Sequence, residues 1–125
     1  MRASSFNEYA EKASNIIRGL LATGQAVLAD QNIDQRSALR GFIGGVLQFE
    51  DGSELHFREF VDTSLPEPRV MYAYHYQDAS NNLIFRYDNA AHKPALSQAD
   101  HKHTPTAVHA MKAPTFEMVI DEILG

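Results

Sequence analysis

The stretch SELHFREFVD, from Ser53 to Asp62, alternates between apolar and polar side chains at almost every step. Leu55, Phe57 and Val61 fall on one side and His56, Arg58 and Asp62 on the other, a period of two that an extended strand satisfies and a helix does not. Asp51-Gly52 just before it is a two-residue hairpin signal, and Gly44-Gly45 opens a partner strand over Val46 to Glu50. The pattern repeats downstream. Arg69 to Gln77 sets Val70, Tyr72, Tyr74 and Tyr76 against Met71, Ala73, His75 and Gln77. A polar turn over Asp78 to Asn82 returns the chain as Leu83 to Asp88, with Leu83, Phe85 and Tyr87 against Ile84, Arg86 and Asp88. Leu65-Pro66-Glu67-Pro68 divides the two hairpins, since proline cannot donate to a central ladder. The expectation is a four-stranded antiparallel sheet over 44–90.

Helical periods flank this sheet. Ser5 and Glu8 are spaced as a capping box, and Phe6, Tyr9, Ala13, Ile16, Ile17, Leu20, Leu21, Gly24, Val27 and Leu28 follow at three- and four-residue intervals. That stripe predicts one long helix ending near Asp30 to Asn32. Ile33 to Leu39 reads as a further turn, which makes 1–40 a helical N-terminal part. A C-terminal helix over 114–124 starts at Pro114, a residue suited to a first turn, and has Phe116, Val119, Ile120, Ile123 and Leu124 as its apolar stripe. Between sheet and last helix, 91–113 shows no period and is punctuated by Pro94 and Pro105, which predicts a long histidine-containing loop. The fold class is α+β, in a single domain over 1–125.

Composition removes several function classes. There is no cysteine, which excludes a disulfide scaffold, a thiolate metal site and a cysteine nucleophile. No apolar run approaches the length of a membrane span, and the residues after Met1 form no signal core, so a cytoplasmic protein with no membrane association is expected. The net charge of −5 argues against a broad nucleic-acid-coating surface but leaves room for a local basic patch. From Met1 to Phe85 eleven acids outnumber seven bases; from Arg86 to Lys112 four bases and four histidines face only Asp88 and Asp100. The histidine-rich segment is therefore the expected anion-facing part.

Four constellations carry possible chemistry. Glu59 sits on the apolar side of its strand, where a carboxylate must be partnered, at an edge, or poised for reaction; a partnered or edge placement is favoured over catalysis. Tyr72, Tyr74 and Tyr76 could stack bases or simply half-bury as good strand formers. Arg86 and Asp88 share one face, the first suited to a phosphate and the second to orienting a histidine. In His101-Lys102-His103 an extended backbone puts both imidazoles on one side and Lys102 on the other. With His92, this set suits either of two chemistries. One is a metal site with His92, His101 and His103 as ligands. The other is cofactor-free acid–base cleavage of a phosphodiester, with Arg86 or Lys102 holding the developing charge. A solvated loop without function is the third possibility. No phosphate-binding glycine loop, dinucleotide fingerprint, HExxH helix or GxSxG elbow occurs.

The segments YAYHYQD (72–78), LIFRYDNA (83–90), HKP (92–94) and HKH (101–103) resemble the TumE family, toxins of prokaryotic toxin–antitoxin modules. The resemblance runs from about Val46 through Leu124 and includes the EDGS hairpin and the PTFEMVIDEIL helix. It emphasises Glu59, Tyr72, Tyr74, His75, Tyr76, Asp78, Arg86, Tyr87, Asp88, Asn89, His92, Pro94, His101, Lys102 and His103. It implies a toxin held inactive by a cognate antitoxin, typically a helix-turn-helix DNA-binding protein. Where relatives commonly carry further histidines, this chain has Lys93 and Asp100, which weakens an all-histidine metal site. The order of one helix followed by four strands also resembles, at the level of fold, the RelE-type ribonuclease toxins. The resulting expectation is a toxin that cleaves RNA without a cofactor. Arg86, Asp88, His92, His101, Lys102 and His103 would be catalytic, and Tyr72, Tyr74, His75, Tyr76 and Asn89 would hold substrate. A non-enzymatic protein-binding module and a metal-dependent hydrolase are the alternatives.

Overall fold

The computed structural model describes residues 5–90 and 100–125. It shows a helix, seven strands and a second helix: α1 (Phe6–Ala22), β1 (Ala26–Gln35), β2 (Arg40–Phe49), β3 (Glu54–Asp62), β4 (Arg69–Gln77), β5 (Leu83–Asp88), β6 (His101–His103), β7 (Val108–Ala110) and α2 (Phe116–Leu124). The strands form one antiparallel sheet in the order β1-β2-β3-β4-β5-β6-β7, each paired with its neighbours in sequence. The class is α+β, but the expected four-stranded, RelE-like sheet is replaced by a seven-stranded meander. Three strands escaped the sequence reading, for two separate reasons.

The first is the end of α1. Ser5 caps the helix as expected, its hydroxyl accepting from Glu8 N at 3.1 Å. The helix then stops at Ala22, because Gly24 takes φ +72°, Gly24 N donates to Leu21 O at 3.2 Å and Gln25 N donates to Leu20 O at 3.0 Å. That is a Schellman stop with glycine at its left-handed position. Ala26 to Gln35 is therefore strand, and neither the longer helix nor the extra turn over Ile33 to Leu39 forms. Val27 and Leu28 continued the helical period by coincidence.

The second reason is brevity. β6 and β7 have three residues each, too few for alternation to register against background. They are joined through Pro105-Thr106, with Thr104 N donating to Ala107 O at 2.8 Å and Ala107 N to Thr104 O at 3.4 Å. Much of the loop expected over 91–113 is thus a hairpin at the sheet edge. The β2–β3 turn also has one residue more than expected. Phe49 N bonds Ser53 O at 2.9 Å across Glu50-Asp51-Gly52, with Gly52 at φ +85°.

Both helices cover one face of the sheet. Phe6, Ala10, Ile17 and Leu20 of α1 and Phe116, Val119 and Ile120 of α2 are buried against Ile43, Leu47, Leu55, Phe57, Val61, Tyr72, Tyr74, Tyr76, Phe85 and Tyr87. The pairings Phe57↔Tyr74 and Tyr74↔Tyr87 carry this apolar face across the centre of the sheet. An antiparallel sheet can pack helices on one face only; among the described residues no helix covers the second face, which carries a row of polar side chains.

Candidate functional site

Period two in every central strand sends the residues opposite the core to the uncovered face, and the register lines them up into two adjacent rows. The first row runs Asp30–Val46–His56–His75–Arg86–His103, from β1 to β6. The second runs Asn32–Gly44–Arg58–Ala73–Asp88–His101 over the same strands. Gly44 and Ala73 contribute almost no side chain to the second row, which leaves a hollow between taller neighbours. A groove of about 560 Å³ occupies this face, lined by residues of β1 to β5 that include Asp30, Asn32, Phe42, His56, Arg58, His75 and Arg86. At the β6 end the surface closes, with Asp88 4% and His101 2% exposed.

Arg86 is the hinge between these two environments. Its Nε donates to Asp88 Oδ2 at 2.8 Å, and its Nη1 lies 3.4 Å from His75 Nδ1. His103 Nε2 lies 3.4 Å from the Asp88 carboxylate and His101 Nδ1 lies 3.8 Å from it. Burial alone would raise the Asp88 carboxyl, but the Arg86 hydrogen bond and the charges of His103 and Arg86 together hold it below the usual carboxylate range. The His75 pKa is lowered too, by burial first and the Arg86 guanidinium second, which for an imidazole favours the neutral ring. Its Nε2 pairs with Gln77 Oε1 at 3.1 Å, and Oε1 can only accept, so the proton sits on Nε2 and the lone pair on Nδ1 facing Arg86. His56 stands edge-on to His75, with ring centroids 6.2 Å apart, and reaches Glu54 Oε1 at 3.0 Å. Arg58 is exposed on this face and has no ion-pair partner among the described residues.

A match of the chain to a family model described as "Toxin TumE" spans residues 17–125 and so includes every strand and α2. The chain belongs to the TumE toxin family. No curated protein and no solved structure gives a significant match. In this TumE family member no helix of the described residues is long and apolar enough to cross a membrane.

The site residues expected from sequence divide three ways in this TumE protein. Arg86, Asp88, His101, His103 and His75 come together on the uncovered face. His92 lies outside the described residues. Lys102 points to the covered face, where Nζ donates to Glu122 Oε2 at 2.9 Å and lies 5.1 Å from the centre of the Tyr87 ring. Tyr87 donates to the other oxygen of Glu122 at 2.6 Å, so Lys102 and Tyr87 together tie β5 and β6 to α2.

The tyrosines expected to hold substrate are also on the covered face, with Tyr72 2%, Tyr74 0% and Tyr76 8% exposed. Rings so buried cannot stack on a base. Tyr76 bonds Ser53 Oγ at 2.7 Å, Tyr72 donates to Asp100 Oδ1 at 2.9 Å, and Tyr74 donates to Glu59 Oε2 at 2.5 Å. Glu59, the carboxylate on an apolar face, also accepts from the Tyr9 hydroxyl of α1, which makes it a partnered structural group. Asn89 extends the β4–β5 ladder with its side chain, accepting from Tyr72 N at 3.0 Å and donating to Val70 O at 3.2 Å. Among the described residues no group of three or more His, Asp or Glu side chains is arranged around a common metal position.

His56 and Arg58 were missed as site residues. Their signal was present in the sequence: they have the parity of His75 and Arg86, opposite to Leu55 and Phe57, in an unbroken alternation. What the sequence lacked was strand order, which alone places β3 beside β4 in this register.

Proposed function

We propose that this TumE toxin cleaves single-stranded RNA on the uncovered face of its sheet, by metal-independent acid–base chemistry. The observation that carries the reading is the cross-strand succession His75–Arg86–His103, a guanidinium between two imidazoles beside a cationic groove. Arg86 supplies a fork for a phosphate, a geometry that lysine cannot match. His75 Nδ1, released as the Arg86 guanidinium turns to the phosphate, takes the proton of the ribose 2′-hydroxyl, a role that its lowered pKa suits because the neutral ring is the reactive form. The 2′-oxygen attacks phosphorus and the bond to the 5′-oxygen breaks. His103, oriented by Asp88, gives that leaving oxygen its proton. The products are a 2′,3′-cyclic phosphate and a 5′-hydroxyl, and the proton count balances. Arg86 stabilises the charge that builds on the phosphoryl oxygens. His101 is buried beside Asp88 and acts by fixing that carboxylate.

A toxin of this kind needs a partner that silences it, and family membership makes a cognate antitoxin the natural one. Its type, expected to be a helix-turn-helix protein, belongs to the proposal. The test is incubation of purified protein with single-stranded RNA, with and without a chelator. Cleavage that survives the chelator and is lost in His75→Ala and His103→Ala supports the reading. Chelator-sensitive cleavage points to a metal-dependent hydrolase instead, and binding without cleavage to a recognition module.

A further inference from the structure

The reaction just described uses the β4–β6 end of this sheet face and leaves the β1–β3 half of the groove unassigned. That half is built, not incidental. The ring of Phe42 lies back over Gly44, so closely that a Cβ at Gly44 would fall 2.8 Å from it. Phe42 is nevertheless only half-buried and lines the groove, so an aromatic surface is available to a flat ligand. Asp30 and Asn32, both exposed, stand on the same wall from β1, in the two rows that also hold His56 and Arg58. A β-bulge in β1, at the register shift between Leu28 and Asp30, lies immediately before this pair; bulges of this kind re-aim side chains. The volume of the whole groove, about 560 Å³, is in the range of small-ligand sites.

We infer that the β1–β3 half is a nucleotide subsite that selects guanine in single-stranded RNA, a conclusion that rests on the RNA reading above. Phe42 supplies the stacking surface, as aromatic side chains do for unpaired bases. A carboxylate only accepts hydrogen bonds. Guanine alone presents two adjacent donors, N1–H and the N2 amino group, on its pairing edge. Adenine and cytosine each set their amino group beside an acceptor nitrogen, and uracil sets its ring N–H between two carbonyls, which a carboxylate repels. Asp30 therefore accepts from the guanine N1–H and N2–H pair, and the Asn32 amide donates to O6. Arg58 and His56, between this subsite and His75, hold the phosphate that links the bound nucleotide to the scissile one.

The test separates binding from cleavage by using 2′-deoxy oligonucleotides, which lack the nucleophile. Short labelled dU oligomers carrying one dG, dA or dC are titrated with wild-type protein and with Asp30→Asn, Asn32→Ala and Phe42→Ala. Folding of each variant is checked by circular dichroism. The wild type is expected to prefer dG over dA by about 5- to 150-fold, the discrimination a good bidentate contact gives. Asp30→Asn, a near-isosteric change at an exposed side chain, should abolish that preference, and His75→Ala should keep it. Absence of a dG preference, or a preference that survives in Asp30→Asn, overturns the inference while leaving the cleavage proposal standing. A dG preference lost in Asp30→Asn, in a protein that cleaves no RNA, would uphold the subsite and overturn the cleavage proposal.

Discussion

Tyr74→Phe isolates the claim that the tyrosine row is scaffold and not a base-stacking surface. The substitution keeps the ring, its 5.3 Å stacking on Tyr72 and its contact with Phe116, and removes one oxygen. That oxygen donates to Glu59 Oε2 at 2.5 Å and accepts from Arg69 Nη1 at 3.1 Å. Burial and the Glu59 charge keep the Tyr74 hydroxyl protonated far above its ordinary range, so it serves as a permanent donor. Without it, Glu59, 4% exposed, retains only Tyr9 among the donors described above. Loss of a hydrogen bond to a charged group costs about 1.5–3 kcal/mol. With an unfolding entropy of about 2.1 cal/mol/K per residue, a 125-residue domain should then melt roughly 6–11 °C lower. Glu59→Gln should cost less, because the amide oxygen still accepts from one tyrosine while the other hydroxyl turns to accept from the amide nitrogen. Differential scanning calorimetry reads both changes, and RNA binding by Tyr74→Phe should equal that of wild type below its Tm. An unchanged Tm would refute the Glu59 anchoring, and weakened RNA binding by a stably folded variant would restore the tyrosines to the site.

Three further outcomes follow. Arg86→Gln should lower kcat for RNA cleavage by about 10²- to 10³-fold, the usual cost of removing one preorganised charge stabiliser. It should also move the acidic limb of the pH–rate profile upward, because the guanidinium is the second cause, after burial, of the lowered His75 pKa. Lys102→Met should leave cleavage intact and cost about 0.2–1 kcal/mol in urea melts, since its partly exposed ion pair with Glu122 only ties β6 to α2. The pH dependence of stability has a definite sign. His75 is held below the imidazole value of about 6.5, so its contribution is full above that pH and fades as pH falls through its folded value. Asp88, also lowered, contributes fully above about pH 3.9 and loses its contribution on further acidification. Urea midpoints should therefore decline from pH 7 downward, with the earlier part of the decline missing in His75→Ala.

The central hairpins were legible because β3, β4 and β5 bury one face only, and such strands write their geometry as strict alternation. The N-terminal strand was not legible, because Val27 and Leu28 extend a helical spacing across a glycine stop that depends on backbone conformation at Gly24. For the site, alternation predicted that Arg86 would accompany Asp88 and that His101 would accompany His103. It could not show that the tyrosines face the helices, since either face of β4 offered a plausible core until α1 and α2 were placed. Nor could it place His56 beside His75, a relation made only by pairing β3 with β4. Residue type drew attention to the aromatic row, while strand pairing gathers the histidines and arginines on the quieter face behind it.

The most direct test of the account is the chemistry of RNA ends. Purified toxin incubated with single-stranded RNA in the presence of EDTA should release fragments with 2′,3′-cyclic phosphate and 5′-hydroxyl termini, and His75→Ala, Arg86→Gln and His103→Ala should each suppress them. Fragments with 5′-phosphate ends, or cleavage that persists in all three variants, would show that the row from His75 to His103 is not the reactive centre.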